Sequence, residues 1–125
     1  MMDEFEQILT SLRELAATRA PGELVRKHLF GTDVYLYVRI NRRHCGLQLL
    51  DALVIADVTV EESRQGQGLF TRLLRRLESE VPALGLQAVI AENVVNPQLL
   101  DHLVRIGYRP TGWDAHTVYK ESPYG

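Results

Sequence analysis

The segment with the clearest chemical potential is a glycine-containing turn between a strand-like and a helix-like stretch. Residues 58–60 are followed by a short polar loop and then by Gln65-Gly66-Gln67-Gly68, after which apolar residues recur at helical spacing. The first turn of a helix exposes main-chain N–H groups, and glycine lets a ligand approach that backbone closely. The turn is therefore a candidate phosphate-binding site. The glycines equally suit a tight connection without a ligand, and they alone do not decide between the two interpretations.

Two acidic residues near this turn are candidates for acid–base chemistry. Asp57 directly precedes residues 58–60, and Glu92 ends the apolar run of residues 86–91. A carboxylate at the end of an apolar strand is costly to bury without a partner or a role. Glu92 is therefore the first candidate and Asp57 the second, and a solvent-facing or ion-paired carboxylate is the alternative for each. A register shift of one residue would turn Glu92 away from any cleft, because strand side chains alternate between faces.

Two well-known nucleotide-binding motifs do not fit the turn. A dinucleotide fingerprint needs a third glycine, where the chain has Thr71, and an acidic residue about 20 positions further on. A P-loop needs Lys and then Ser or Thr after its second glycine, where the chain has Leu69 and Phe70. Neither motif explains the glycines.

The surrounding pattern predicts one α/β domain over residues 1–125. Helices are predicted over residues 3–18 and 23–30, from Leu69 to before Pro82, and after Asn96, which serves as N-cap to Pro97. Strands are predicted over residues 34–40, 53–60, 86–91 and 116–120, with a hairpin connection over 41–46. Strand–helix–strand connections of this length favour parallel pairing, and the hairpin adds antiparallel pairing. The prediction is a mixed β-sheet with helices on both faces.

Composition narrows the class of protein. A net charge of -2 gives no general attraction to nucleic acid or to an anionic membrane, which argues against both partners. The single cysteine, Cys45, excludes an internal disulfide and fits a reducing cytoplasm. The acidic N-terminal segment is unlike a signal peptide, and no apolar run approaches the ~20 residues of a membrane span. The spacing of the histidines indicates no metal site, so we expect a cytoplasmic protein without a metal.

Two segments together resemble the signatures of the GNAT superfamily of N-acetyltransferases. Residues 58–60, the loop and Gln65-Gly66-Gln67-Gly68-Leu69-Phe70 resemble its acetyl-CoA motif, Gln/Arg-x-x-Gly-x-Gly/Ala after a central strand. Residues 96–108, NPQLLDHLVRIGY, resemble its second signature, an Asn followed eleven residues later by Gly and an aromatic residue. The resemblance covers roughly residues 50–110. It implies a small, minimal member with a GNAT-like mixed sheet and central splayed strands.

The resemblance also implies an activity and a set of site residues. The activity is transfer of an acetyl group from acetyl-CoA to a primary amine by direct attack in a ternary complex, with CoA as product. The main chain of Val58 and Val60 would pair with the pantetheine arm as an added strand does. The main-chain amides of Gly66, Gln67, Gly68, Phe70 and Thr71 would bind the pyrophosphate, and Gln65, the first residue of the motif, would also belong to the cofactor site. Asn96 would contact the cofactor or cap its helix, and Asp57 and Glu92 would lie where the splayed strands admit the thioester.

Two residues depart from the family pattern. Phe70 stands where the motif has Gly or Ala, so its ring must turn into the core. Leu103 stands where many members have a Tyr that protonates the departing thiolate, although a thiol with a pKa near ~8.5 leaves tolerably as an anion. Both departures favour the alternative function, a non-catalytic GNAT-like module that binds CoA or a protein.

The partners are left open. The amine acceptor is a small molecule or a protein, and a homodimer is compatible with the short chain. A basic cluster near the turn either meets the outer phosphate of the cofactor or forms a solvated helix face, and it comprises Arg64, Arg72, Arg75 and Arg76. A third alternative is nucleic-acid binding through Arg39, Arg42 and Arg43.

Overall fold

The computed structural model describes residues 3–122, which form one mixed sheet and three α-helices. The helices are α1 (Glu6–Thr18), α2 (Leu69–Glu80) and α3 (Pro97–Arg105). The strands are β1 (Val25–Phe30), β2 (Val34–Cys45), β3 (Gln48–Val60), β4 (Ala88–Ala91), β5 (Arg109–Pro110) and β6 (Val118–Glu121). Their order in the sheet is β1-β2-β3-β4-β6-β5, with β3 and β4 parallel and the other pairs antiparallel. The predicted fold class, a mixed α/β sheet flanked by helices, is confirmed.

The helices pack their apolar stripes into one core. That core takes Ile8, Leu9 and Leu12 from α1, Leu69, Leu73, Leu74 and Leu77 from α2, and Leu103 from α3. A smaller cluster contains strand residues only, namely Cys45, Leu50, Ala52, Val54, Ala88, Ile90 and Tyr119. We call the sheet face that carries this cluster the helix-free face. Within residues 3–122, helices thus cover one face of the sheet, which corrects the expectation of helices on both faces; long polar side chains of β2 lie over the other face instead.

The first half of the chain contains more strand than its pattern predicts. Residues 23–30 are not a helix, because β1 pairs along its whole length with β2. A segment this short gains little as an isolated helix, whereas the long β2 offers a full row of hydrogen-bond partners. Residues 41–46 are not a long connection either, since β2 continues to Cys45 and the turn consists of Gly46 and Leu47. As a result, β3 begins at Gln48 rather than near residue 53.

The later elements lie close to their predicted positions. The helix expected to begin at Leu69 does so, and α3 begins at Pro97 after the N-cap Asn96. The final strand begins two residues later than expected, and the predicted turn-rich link contains the short β5. Among the helices of residues 3–122, none has the length and apolar character needed to cross a membrane.

The neighbouring strands β3 and β4 separate partway along the sheet. They pair only from Ala52 with Ala88 to Ile55 with Ala91. Val38 of β2 lies opposite Ile55 and Tyr37 lies opposite Asp57, so Ala56 is an extra residue in β3. Such a bulge bends a strand and increases its twist. The bend falls where β4 ends, and β3 continues to Val60 beside β2 alone, which confirms the predicted splayed strands.

Candidate active site: the cleft between β3 and β4

The separation of β3 and β4 opens a cleft that reaches both faces of the sheet. A cavity of about 200 Å³ lies there, with Val58, Leu99 and Leu103 in its lining on the helix side. Asp57 and Glu92 line the same cavity. Asp57 lies on the helix-free face because its partner Tyr37 alternates with the core residues of β2, and Glu92 continues the alternation of the helix-free residues Ala88 and Ile90. The two candidate carboxylates are therefore brought together at the helix-free end of one cleft.

A second cavity of about 350 Å³ extends from this cleft along the start of α2. Its lining includes Gly66, Gly68 and Thr71. Four residues line both cavities, namely Val58, Phe70, Asn96 and Leu99. The glycine turn and the cleft therefore form one continuous groove. Of the residues predicted to bind the cofactor, all but Gln67 line it.

The glycine turn is exposed, and its two glycines border open space. Gly66 and Gly68 have φ angles of +78° and +73°, in the left-handed region that favours glycine. Gly68 is the N-cap of α2 and supplies no side-chain cap, and the first turn has no acidic residue. Within residues 3–122 no atom accepts a hydrogen bond from the main-chain N–H groups of residues 66–71. A Cβ added at either glycine would meet no atom within 4 Å.

The side chains of the motif hold the turn in shape. Gln65 Nε2 donates to the Val60 carbonyl at 3.0 Å, and Gln67 Nε2 donates to the Ser63 carbonyl at 3.1 Å. Arg64 Nε donates to Gln67 Oε1 at 3.2 Å. Both glutamine side chains are thus engaged in the loop itself, which leaves the main chain as the part of this motif that is open to a ligand.

The edge of β3 that faces the cleft carries main-chain groups of Val58 and Val60. The Glu61 N–H donates to the Asp33 carbonyl on the β2 side at 2.9 Å. Main-chain groups of successive strand residues point to opposite edges, so those of Val58 and Val60 point away from β2 and towards the cleft. Since β4 pairs no further than Ile55, this edge has no strand partner in the described part of the chain.

Phe70 and Asn96 each combine a structural contact with a place in the groove. The Phe70 ring packs against the main core, as its departure from the motif requires, and it also forms wall where the two cavities meet. Asn96 Oδ1 accepts hydrogen bonds from the N–H groups of Gln98 and Leu99 at 2.9 and 3.2 Å. The capping role of Asn96 is therefore directly visible in the structure.

Glu92 is held between two arginines of β2. Arg39 Nη1 donates to one carboxylate oxygen at 2.7 Å and Arg43 Nη1 donates to the other at 2.9 Å. Burial acts to raise the pKa of Glu92, but the hydrogen bonds and charges of Arg39 and Arg43 outweigh burial, and the pKa lies below its ordinary value. Asp57 differs, because it is exposed and its carboxylate makes no hydrogen bond or ion pair with residues 3–122. The two arginines could not be found from the sequence, which places them about 50 positions from Glu92.

Most of the basic side chains noted in the sequence are also paired. Glu4, just before α1, accepts from Arg64 and Arg72, both at 3.1 Å, and Arg64 also pairs with Asp33 at 2.6 Å. Arg76 pairs with Asp3 and Glu6, whereas Arg75 is exposed and makes no ion pair with the described residues. The basic cluster therefore fastens α2 to the N-terminal segment. Arg42 pairs with Asp51 at 3.5 Å, and Asp51 also pairs with Arg19 at 2.9 Å, so each arginine of the nucleic-acid alternative has a carboxylate partner that it shares with another arginine.

The histidines do not form a metal site in the described part of the chain. No group of three or more potential His, Cys, Asp or Glu ligands is close enough there to hold a metal ion. His102 is half-buried, and its Nε2 lies 3.1 Å from Thr71 Oγ1. This contact joins α3 to the first turn of α2 beside the groove.

Comparison with known proteins identifies the fold. No family model matches the sequence, and no curated protein matches it. A Tyr-to-Phe mutant of the toxin AtaT bound to the C-terminus of the antitoxin AtaR and acetyl-CoA is 15% identical, with a TM-score of 0.57 over 72% of this chain and 59% of that chain. A Tyr-to-Phe mutant of KacT is 16% identical, with a TM-score of 0.55 over 94% of this chain and 82% of that chain.

A third solved structure is a protein of Agrobacterium tumefaciens described as an acetyltransferase. It is 18% identical to this chain, with a TM-score of 0.54 over 98% of this chain and 93% of that chain. These neighbours are GNAT-fold acetyltransferases, so the fold inferred from the two signatures is confirmed. The chain spans about three fifths of the length of AtaT, 59% in the acetyl-CoA complex.

Proposed function

We propose that the protein is an acyl-CoA-dependent N-acetyltransferase that transfers the acetyl group of acetyl-CoA to a primary amine by direct attack in a ternary complex. The observation that carries this proposal is the continuous groove from the unpaired N–H groups of residues 66–71 to the cleft between β3 and β4. The acetyl-CoA bound to AtaT, a neighbour of the same fold, supports the choice of donor.

The groove offers three kinds of contact to acetyl-CoA. The N–H groups of residues 66–71, at the positive end of the α2 dipole, suit the negative charge of the pyrophosphate. The cleft-facing main-chain groups of Val58 and the N–H of Val60 suit the amides of the pantetheine arm, in the manner of strand addition, while the Val60 carbonyl already accepts from Gln65. Asn96 lies beside this path and has its Nδ2 group left for a ligand, because its Oδ1 caps α3. The thioester supplies the activated acetyl group.

The acceptor amine must lose a proton before it attacks. An amine with a pKa of ~10.4 is neutral in about one molecule in 2,500 at pH 7, which corresponds to roughly 4.6 kcal/mol. Asp57 and Glu92 both line the cleft, and we assign them different roles because their environments differ. Both carboxylate oxygens of Glu92 accept hydrogen bonds from Arg39 and Arg43, which lower its pKa and disfavour proton transfer to it. Asp57, which has no such partner among the described residues, takes the proton directly or through water.

The leaving group needs no proton from this chain. Leu103 is buried and lines the cleft where the family pattern has a Tyr. A thiol with a pKa near ~8.5 leaves as a thiolate at a modest cost at neutral pH. The protein must therefore catalyse mainly two things, removal of the amine proton and alignment of the amine with the thioester.

An assay for free thiol tests the proposal. Purified protein, acetyl-CoA and a panel of amines should release CoA thiol together with one acetyl group per acceptor, measured by intact mass. The panel contains small amines, lysine peptides and aminoacyl-tRNA, the last because one AtaT structure holds acetyl-methionyl-tRNA. Asp57→Asn should abolish most of this release while it leaves acetyl-CoA binding intact.

The alternative is a non-catalytic module that binds CoA or a protein partner. Two observations favour it, namely the Phe70 ring in the groove wall and the apolar Leu103 in the cleft. Calorimetric binding of acetyl-CoA without thiol release from any amine of the panel would support this module and contradict the transferase. Absence of acetyl-CoA binding in a folded protein would contradict both.

A further inference from the structure

We infer that Arg39 and Arg43 bind an anionic group, a carboxylate or a phosphate, carried by the amine acceptor. This inference rests on the proposed function and specifies the class of its acceptor. Both arginines lie on the helix-free face, where the cleft opens beside Asp57 and Glu92. We call Arg39 and Arg43 the arginine pair.

The arginine pair lies beside the cleft, in direct contact with Glu92. Each guanidinium donates to a different oxygen of this carboxylate, at 2.7 and 2.9 Å, and Glu92 itself lines the cleft. The guanidinium groups therefore lie within hydrogen-bond distance of a group in the cleft wall. The glycine turn lies at the helix side of the same groove, so an acceptor that approaches from the helix-free face meets the arginine pair without crossing the acetyl-CoA path.

The charges around this end of the cleft balance in number but are not all paired with one another. Two arginines share the single carboxylate of Glu92, so one arginine charge is not balanced by Glu92. Of the neighbouring basic residues, Arg42 shares Asp51 with Arg19, and Arg109 pairs with Glu121. Asp57 adds an unpaired negative charge at the same opening. An acceptor with an ammonium group near an anionic group matches this arrangement, with its ammonium at Asp57 and its anion at the arginine pair.

The arginine pair also has N–H donors that Glu92 does not use, and the Arg39 guanidinium is held in place by a neighbouring ring. Each guanidinium carries five N–H donors and uses only its Nη1 group on Glu92. The side chains are about 30% and 26% exposed, so they are partly desolvated but open to a ligand. The Arg39 guanidinium lies over the Tyr37 ring, 5.4 Å from its centroid. A planar guanidinium held in this way suits two-point recognition of a carboxylate or phosphate.

A structural role alone, in which Arg39 and Arg43 only stabilise the fold by pairing with Glu92, does not explain why two arginines are present. One arginine would neutralise Glu92, and β3 lies between β2 and β4, so the trio is not needed to pair neighbouring strands. The second guanidinium adds a positive charge that Glu92 does not balance, and neither arginine pairs with Asp57.

Matched acceptors test the inference. The transfer rates to glycine and glycinamide form the carboxylate arm, and those to O-phosphoethanolamine and ethanolamine form the phosphate arm. In at least one arm the wild-type protein should show a kcat/KM roughly tenfold or more higher for the anionic member, as expected for a charge-assisted contact. The arm that shows the preference identifies the anion.

Variants connect the preference to the arginine pair. Arg43→Gln should remove most of the preference by raising KM for the anionic member, with acetyl-CoA affinity unchanged, and Arg43→Lys should retain part of it. Arg42→Gln is the matched control on the same strand and should keep the wild-type preference. Circular dichroism and urea unfolding verify that each variant is folded, and if Arg43→Gln does not fold, Arg39→Lys and Arg43→Lys are compared instead.

Different failures have different meanings. Equal rates for the charged and neutral members in the wild-type protein would overturn the inference and leave the transferase standing, as would a preference that survives Arg43→Gln. No transfer to any acceptor of this set or of the broader amine panel would contradict the transferase and this inference with it.

Discussion

Substitution of Gly68 by alanine separates cofactor binding from folding. Gly68 has a φ of +73°, and an added Cβ would meet no atom within 4 Å. The cost to the fold is therefore only the left-handed conformation of alanine, about 1–2 kcal/mol. Stiffening of the unfolded chain offsets about 0.4–1 kcal/mol of this cost, which leaves a loss of roughly 1 kcal/mol in the free energy of unfolding.

Gly85 provides a matched control. Its φ is +75° and a Cβ there would also meet no atom within 4 Å, so Gly85→Ala should destabilise the protein by the same amount. Gly85 lies in the turn between α2 and β4 and is not part of the groove. Any difference between the two variants in acetyl-CoA binding therefore reports on the groove and not on stability.

The expected loss of affinity follows from the groove geometry. The Cβ of Gly68→Ala projects into open space beside the N–H groups of residues 66–71, where the pyrophosphate is proposed to lie. Displacement of one hydrogen bond to a charged group costs about 1.5–3 kcal/mol. This range corresponds to a roughly 10- to 150-fold weaker Kd.

Calorimetry with acetyl-CoA and urea unfolding measure the two effects. Gly68→Ala and Gly85→Ala should unfold at similar urea concentrations, but only Gly68→Ala should bind acetyl-CoA more weakly. Equal affinity in the two folded variants would refute the assignment of the turn as the pyrophosphate site.

Three further substitutions test separate parts of the site. The pKa of Glu92 is lowered in the folded protein, so its ionised form stabilises the fold above the unfolded pKa of ~4.3, and this stabilisation is lost as the pH falls through the folded pKa. Glu92→Gln should therefore weaken the dependence of urea unfolding on acid pH. An unchanged dependence would show that the arginine contacts do not form in solution. Asp57→Asn should lower kcat by roughly 10²-fold or more without a change in acetyl-CoA affinity, and full activity in steady-state kinetics would remove Asp57 from the mechanism. Asn96→Ala should reduce the free energy of unfolding by about 1 kcal/mol because α3 loses its cap, a result that thermal or urea unfolding would contradict if stability were unchanged.

The parts of the site that could be predicted from the sequence depend on local rules. A glycine pair before an apolar stripe predicts the turn and the start of α2, and Asn96 before Pro97 predicts the capped start of α3. Both features involve residues a few positions apart. The structure gives them the predicted form, while their contacts with a cofactor stay a prediction.

The parts that could not be predicted depend on long-range register. Residues 25–30 form a strand because β2 offers its edge, and the opening of the cleft depends on Ala56 bulging where β4 ends. The pairing of Glu92 with Arg39 and Arg43 depends on the register and the side-chain alternation of strands far apart in sequence. The same holds for Glu4, whose contact with Arg64 and Arg72 depends on how α1 packs beside α2.

The most direct test of the central claim is a titration of the ¹⁵N-labelled protein with acetyl-CoA, followed by amide chemical shifts. The groove predicts that the largest shifts belong to residues 66–71, together with Val58 and Val60, at concentrations that saturate binding. Shifts confined to other parts of the molecule, or none at millimolar acetyl-CoA in a folded protein, would contradict the assignment of this groove as an acetyl-CoA site.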